Sequence, residues 1–186
     1  MAGVFWAVYV LWFACELFIF SRDRAPVAGV NRDGSSRRVI VAGMVGSIML
    51  ATAVARVRWA ATPWPRADAV GIGAMLMLAG IAFRLWAVSV LGEHFRTQVT
   101  LLDGHRLIRS GPYARLRHPA YTGSLVSCLG LGIALANWCS LLVMIVGPFA
   151  GFAWRVAIEE RAMGERFGAD WRAYRARSWA MLPVIW

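Results

Sequence analysis

Side chains capable of chemistry concentrate at two points of the chain, each beside an apolar stretch. In chain order they are Tyr113, Arg117, His118, Tyr121, Arg155, Glu159 and Glu160. Ionisable groups are costly near a bilayer, so such groups beside apolar stretches are candidates for function. Arg155 and Glu159 lie four residues apart, so on one helix they would share a face and either pair with each other or bind a common ligand. These residue types predict a polar pocket at a membrane edge.

The sequence lacks the arrangements on which hydrolysis or metal catalysis depends. It contains no Ser-His-Asp order, no H-E-x-x-H motif and no Walker loop. Three cysteines, Cys15, Cys128 and Cys139, lie in apolar runs and have no metal-ligand spacing. We therefore expect neither a metal site nor a disulfide framework, and we expect the cysteines to be small buried residues.

The composition is that of a membrane protein. Hydrophobic residues make up 59% of the 186-residue chain, whereas soluble domains contain roughly 45–50%. Crossing a bilayer takes about 20 residues in a helix, and five apolar stretches approach that length. They are residues 4–20, 39–55, 69–91, 119–136 and 138–154. The sequence predicts an all-α polytopic membrane protein with about five transmembrane helices, the first of them a retained span.

The last two apolar stretches are predicted to form a tight antiparallel hairpin, because little more than Asn137 and Trp138 separates them. This hairpin brings the two polar clusters to the same membrane face. Pro119 suits the first turn of the fourth helix, where a missing N–H costs nothing. Pro148 is expected to kink the fifth helix.

Three further patterns carry structural predictions. Alternation around Asp103-Gly104 predicts a short hairpin turn, whereas the Gly-, Ser- and Arg-rich residues 21–38 predict a surface loop. An amphipathic helical pattern with a break at Gly168 runs over residues 155–177. Aromatic residues recur along it at helical spacing, namely Phe167, Trp171 and Tyr174.

A few residues inside the apolar stretches have a predicted structural role. Glu16 and Arg84 are ionisable residues within the first and third stretches and are expected to pair with each other. Small residues let transmembrane helices approach closely. We expect helix packing at the two glycine pairs, Gly71 with Gly73 and Gly130 with Gly132.

Arginine distribution predicts the orientation in the membrane. All 20 basic residues are Arg, and 16 of them fall in residues 21–38, 92–118 and 155–177, against three in residues 56–68. The arginine-rich side is the cytosolic one, so we expect the N-terminus outside and the C-terminus inside, in a cell inner membrane. Because topology accounts for the net charge of +10, a nucleic-acid partner is not expected.

An ordered series of residues runs through the C-terminal half. It comprises Gly111-Pro112-Tyr113, Arg117-His118-Pro119, Tyr121, Gly123, Glu159-Glu160, Phe167-Gly168, Trp171 and Tyr174. The series resembles the isoprenylcysteine carboxyl methyltransferase family and is more broadly similar to the integral-membrane phospholipid methyltransferases. The resemblance covers about residues 90–186. One departure is Trp171, where the family often has Tyr, and nothing in the sequence identifies a prenyl group.

The resemblance implies an enzyme that binds S-adenosylmethionine at the cytosolic face, releases S-adenosylhomocysteine and takes a lipophilic or prenylated acceptor from the membrane lipids. Its implied cofactor-binding residues are Gln98, His105, Arg106, Leu107, Ile108, Tyr113, His118, Pro119, Ala120, Tyr121 and Glu159. Arg155 matches an arginine that helps to hold the acceptor, and Arg155 with Glu159 is the implied catalytic pair. We expect one membrane-embedded domain over residues 1–186, with two spans in 1–68 and the catalytic core, including a C-terminal cytosolic cofactor-binding region, in 69–186.

Methyl transfer from a sulfonium needs alignment and exclusion of water more than it needs a base. A carboxylate acceptor is therefore expected first, with a lipid amine or a small hydrophobic thiol as alternatives. Two other classes of protein are also compatible with the sequence. One is a reductase resembling the sterol reductases, with arginines around the 2′-phosphate of NADPH, and the other is a non-catalytic membrane protein.

Overall fold

The computed structural model describes residues 2–21, 30–31, 36–92, 100–101 and 107–183. Five helices account for most of them: α1 (Ala2–Ser21), α2 (Ser36–Val54), α3 (Arg66–Leu91), α4 (Pro119–Ala134) and α5 (Trp138–Arg175). Each coincides with one of the five apolar stretches, so the all-α fold class is confirmed. The remaining elements are two strands, β1 (Val30–Asn31) and β2 (Thr100–Leu101), and the 3₁₀ turns Arg58–Ala60 and Gly111–Ala114.

Three helices are long and apolar enough to cross a membrane, judged by length and composition. They are α1 from Gly3, α3 and α5. α2, counted over Arg38–Val54, and α4 are apolar but shorter. A count of five membrane crossings therefore stays a prediction.

The turn between α4 and α5 is closed by Asn137. Its side chain caps α5 by accepting a hydrogen bond from Ser140 N at 3.1 Å, and its Nδ2 donates to the Val57 carbonyl at 2.9 Å. A capping side chain satisfies a helix N–H that would otherwise lack a partner. Asn137 thereby confirms the predicted tight hairpin and also ties it to the loop that follows α2.

α3 and α4 pack closely along a row of small residues. A Cβ at Gly73 would lie 2.5 Å from Gly130 O, and one at Gly123 would lie 2.8 Å from the Cβ of Arg84. The packing role of Gly73 and Gly130 is confirmed. Gly132 lies instead against Leu141 of α5, whereas a Cβ at Gly71 would have no neighbour within 4 Å.

α5 is 38 residues long, longer than the about 20 residues that cross a hydrocarbon core. It begins with the predicted fifth apolar stretch, residues 138–154, and continues beyond it from Arg155 onward. Gly168 breaks the helix with φ 51° and ψ −113°, as predicted. Pro148 keeps helical backbone angles, so a kink there stays a prediction.

The two short strands join loops that are far apart in sequence. Val30 pairs with Leu101 and Asn31 with Thr100, in antiparallel register. The predicted turn at Asp103-Gly104 lies outside the described residues, and Leu107 and Ile108 are described without strand structure. The partner of residues 100–101 is therefore the 21–38 loop, which the sequence had indicated only as surface.

The close contact of α3 with α4 predicts a contrast between two glycine variants. Gly73→Ala should lower the melting temperature in detergent, because the added methyl group would overlap Gly130 and overpacking costs about 1–3 kcal/mol. Gly71→Ala, on the same helix, should leave the melting temperature unchanged or raise it, since Ala favours the helix. Equal melting temperatures for the two variants would show that this close approach is not required.

Candidate functional site

The first polar cluster lies where the chain enters α4. His118 precedes the helix and Pro119 opens it. The backbone N–H groups of Arg117 and His118 donate to the carbonyls of Trp179 and Ala180 at 2.8 and 2.9 Å. The segment after α5 thus runs beside the entry to α4 and fixes its backbone.

The Glu159 carboxylate joins the two predicted clusters. Its Oε1 accepts hydrogen bonds from Tyr121 Oη at 2.6 Å and from Arg155 Nε at 2.8 Å. Its Oε2 lies 3.2 Å from His118 Nδ1. Donors from the entry and first turn of α4 and from α5 therefore converge on one carboxylate, which confirms that the clusters are neighbours.

Burial and charge act in opposite directions on this carboxylate. Burial raises the pKa of Glu159, but the hydrogen bond and positive charge of His118, followed by the Arg155 guanidinium, outweigh it and lower the pKa to about 2. Burial lowers the pKa of His118, while the hydrogen bond to Glu159 and the neighbouring Glu160 carboxylate reverse the effect, so that its pKa is raised overall. The site favours an imidazolium facing an ionised carboxylate.

Glu160 holds the other side of the imidazole. Arg117 Nε donates to Glu160 Oε1 at 2.7 Å, and Arg175 Nε lies 3.4 Å from Oε2. His118 Nε2 is 3.4 Å from Glu160 Oε1 but makes no hydrogen bond to any described residue, although it is buried. The Nε2 atom of the protonated ring therefore lies near the Glu160 carboxylate, but its N–H group is a buried donor whose hydrogen bond is not satisfied.

Arg155 is a buried charge on the apolar side of the cluster. Only 1% of its side chain is exposed, and its Nε pairs with Glu159. The Tyr121 ring stacks between His118 and Phe152. Its centroid lies 5.9 Å from that of His118 and 4.9 Å from that of Phe152. The Arg155–Glu159 pair therefore adjoins aromatic surface formed by Tyr121 and Phe152.

The aromatic residues of the C-terminal pattern are mainly structural. Trp171 and Tyr174 are buried. Tyr174 Oη donates to the carbonyls of Tyr113 and Leu116 at 2.7 and 3.2 Å. This contact holds the segment before α4 against the end of α5.

The structure brings together most of the residues singled out in the sequence. The ones near Glu159 are Tyr113, His118, Tyr121 and Arg155, and Pro119 and Ala120 lie between His118 and Tyr121 at the start of α4. Leu107 and Ile108 are half-buried, with no contact to Glu159 established, and Gln98, His105 and Arg106 lie outside the described residues. Among the residues that are described, no group of three His, Cys, Asp or Glu could hold a metal ion.

Two contacts at the site had no usable sequence signal. The backbone of residues 179–180 pairs with residues 115–118, and no side-chain pattern marks such a contact. Arg84 Nη1 donates to the Ala120 carbonyl at 3.0 Å. Its position inside an apolar stretch marked Arg84 as unusual, but only its pairing with Glu16 was expected, and that pair is confirmed at 2.8 Å.

Comparison with known proteins supports the resemblance. The phospholipid methyltransferase family model matches residues 69–170. The protein-S-isoprenylcysteine O-methyltransferase of Dictyostelium discoideum is 28% identical over 61% of this chain and 49% of its own length. The rat protein of the same name is 25% identical over 94% of this chain and 64% of its own.

A solved structure shares the fold. It is that of a eukaryotic intramembrane Ras methyltransferase, isoprenylcysteine carboxyl methyltransferase, with a TM-score of 0.58 and 23% identity over 84% of this chain and 55% of that one. The chain thus spans less than two thirds of the length of these relatives. The apolar helices and these likenesses indicate an integral membrane protein. Because the family model covers more than half of its residues, the chain belongs to the phospholipid methyltransferase family.

Proposed function

We propose that the protein is an S-adenosylmethionine-dependent methyltransferase that acts on a lipophilic acceptor at the cytosolic membrane face. The observation that carries this proposal is the Glu159 carboxylate, which lies among His118, Tyr121 and Arg155 within the family-matched residues. The relatives are named O-methyltransferases, which supports a carboxylate acceptor. Their names also specify isoprenylcysteine, so a prenylated cysteine is the first acceptor to test.

The residues present fit the cofactor. Its ammonium and ribose hydroxyls need an anionic acceptor, its carboxylate needs donors, and its adenine needs an apolar slot. Glu159 supplies the carboxylate, and His118 Nε2 is a buried donor without a hydrogen-bond partner among the described residues. Tyr113 and Pro119 supply buried apolar surface beside them. An ion of opposite charge contributes most where water is excluded.

When bound, the cofactor supplies a methyl group that its positive sulfur has already activated. The chain's own contribution is then to bind, orient and exclude water. Glu159 holds positive or hydroxyl groups at the polar side, and His118 donates from the entry of α4. The Tyr121–Phe152 stack excludes water on the membrane side. A carboxylate acceptor needs no base, so the cluster does not have to remove a proton.

Arg155 is suited to hold an acceptor carboxylate. It is buried where the polar cluster meets the aromatic surface, and its guanidinium carries five N–H donors in a planar array. A guanidinium binds a carboxylate with directional, charge-assisted hydrogen bonds. Arg155 and Glu159 would therefore orient acceptor and cofactor from adjacent turns of α5.

The first prediction concerns cofactor affinity. Glu159→Gln should weaken binding of S-adenosylhomocysteine by about ten- to a hundredfold, because a charge-assisted contact is worth roughly 1.5–3 kcal/mol. Isothermal titration calorimetry on protein in detergent measures this. Glu165→Gln, an exposed glutamate on the same helix, is the matched control and should bind as the wild type does. Unchanged affinity in Glu159→Gln would remove this residue from the cofactor site.

The second prediction separates Arg155 from Glu159. Arg155→Ala should raise the KM for a farnesylated cysteine with a free carboxylate by about ten- to a hundredfold. Its effect on S-adenosylhomocysteine affinity should be smaller. A salt bridge with no other role gives a different result: both single variants would lose stability alike, the double variant would be no worse, and the kinetics would not change. Methylation of a lipid amine or thiol instead of the carboxylate would correct the acceptor class.

The third prediction concerns pH. The pKa of His118 is raised above its ordinary value of 6.5 in the folded protein, so the protonated ring stabilises the fold. That contribution is complete below the unfolded pKa and is lost as the pH rises through the folded one. The melting temperature of the wild type should therefore exceed that of His118→Gln most below pH 6.5, and the difference should shrink in more alkaline buffer. A constant difference between pH 5.5 and pH 9 would contradict a protonated His118.

A further inference from the structure

Arg84 makes contacts on two sides that belong to different parts of the molecule. On one side its Nη2 donates to Glu16 Oε2 at 2.8 Å, and its Nε lies 2.8 Å from Oε1 as an ion-pair contact without hydrogen-bond geometry. On the other side its Nη1 donates to the Ala120 carbonyl at 3.0 Å. One side chain on α3 therefore connects α1 with the first turn of α4.

The contact on α4 lies between two residues of the proposed site. Ala120 stands one residue before Tyr121 and two after His118, and both of these side chains face Glu159. The charge of Arg84 also acts on the Tyr113 hydroxyl, partly opposing the rise that burial causes in the pKa of Tyr113. A displacement of the Arg84 guanidinium would therefore affect the site in two ways. It would move the backbone at Ala120, and it would change the electrostatic potential at the Tyr113 hydroxyl.

α3 and α4 approach each other closely at the position of this contact. A Cβ at Gly123 would lie 2.8 Å from both the Cβ and the backbone nitrogen of Arg84, so only glycine allows α4 to come so near. Only 14% of the Arg84 side chain is exposed. A charge so placed is costly unless its hydrogen bonds are satisfied, and the Ala120 carbonyl satisfies one of them.

We propose that Arg84 is a positioning residue: its guanidinium, fixed by Glu16 of α1, holds the Ala120 carbonyl and so sets the first turn of α4 on which His118 and Tyr121 face Glu159. α1 thereby becomes part of the functional unit, although the family model begins only at residue 69. The effect of Arg84 on ligand binding rests on the proposed function. The effect of Arg84 on the first turn of α4 does not.

A purely structural ion pair is the competing explanation. It would hold α1 against α3, and its loss would lower global stability without a particular effect on the entry to α4. The two explanations differ in where the backbone loosens, so a local measurement of stability is needed together with ligand affinity.

The experiment compares four single variants of the full chain, and one double variant, in detergent. Arg84→Met removes the guanidinium, Arg84→Lys keeps the charge but cannot reproduce the three contacts, and Glu16→Gln removes the fixing charge. Arg66→Met, at the exposed start of α3, is the matched control. Hydrogen exchange is followed by mass spectrometry in peptides from residues 116–124 and 138–150, and S-adenosylhomocysteine is titrated by calorimetry.

The expected result is local. In Arg84→Met, exchange in residues 116–124 should be roughly tenfold faster, with residues 138–150 unchanged, and the affinity for S-adenosylhomocysteine should fall by roughly tenfold. Glu16→Gln should give smaller changes of the same sign. The Glu16→Gln/Arg84→Met double variant should be no worse than Arg84→Met, because Glu16 acts through Arg84. Arg66→Met should match the wild type.

Other results would overturn the proposal in distinguishable ways. Equal acceleration in both peptides would make the pair structural only, and Arg84→Lys decides the point if Arg84→Met does not fold. Faster exchange at residues 116–124 with unchanged affinity would show that the turn is held but does not position the ligand. If the wild type itself fails to bind S-adenosylhomocysteine, the proposed function fails, while the exchange data still decide whether Arg84 holds the turn.

Discussion

A half-buried carboxylate that takes donors from more than one element constrains the rest of the architecture. Glu159 on α5 stays ionised in this partly desolvated position because Tyr121, His118 and Arg155 donate to it or face it. Removing one partner of such a cluster leaves an uncompensated charge, which costs far more than a surface contact. The entry to α4 must therefore meet α5 at the level of Glu159, and the loops and packing that bring them together serve this requirement.

Two features, one at each end of α4, bring this helix to the required position: the hairpin turn and the glycine contacts. Asn137 fixes the turn between α4 and α5 at one end, which sets how the two helices run past each other. At the other end, Gly123 lets α4 approach α3 as far as the backbone of Arg84. Helices in an apolar environment associate through close packing rather than through hydrophobic burial, so small residues here determine the position of charged ones.

Local patterns predicted the parts of this architecture that depend on local rules. Hydropathy located all five helices, the short Asn137 turn predicted the hairpin, and the break at Gly168 followed from its sequence. Contacts between distant segments were not predictable in the same way. The pairing of Val30–Asn31 with Thr100–Leu101 and that of residues 179–180 with the entry to α4 use backbone groups, which every residue carries, so composition does not mark them.

The same distinction applies within the candidate site. His118, Tyr121, Arg155 and Glu159 could be named from sequence because titratable side chains beside apolar stretches are rare and conspicuous. Which of these side chains contact each other could not be predicted from sequence, because a carboxylate four residues from an arginine is compatible both with an isolated ion pair and with a shared ligand. The structure shows that Glu159 accepts from Arg155 and Tyr121 at the same oxygen. The other oxygen, Oε2, faces the His118 imidazole, so each oxygen of this one carboxylate contacts the entry or first turn of α4, and Glu159 fixes that turn against α5 from two directions.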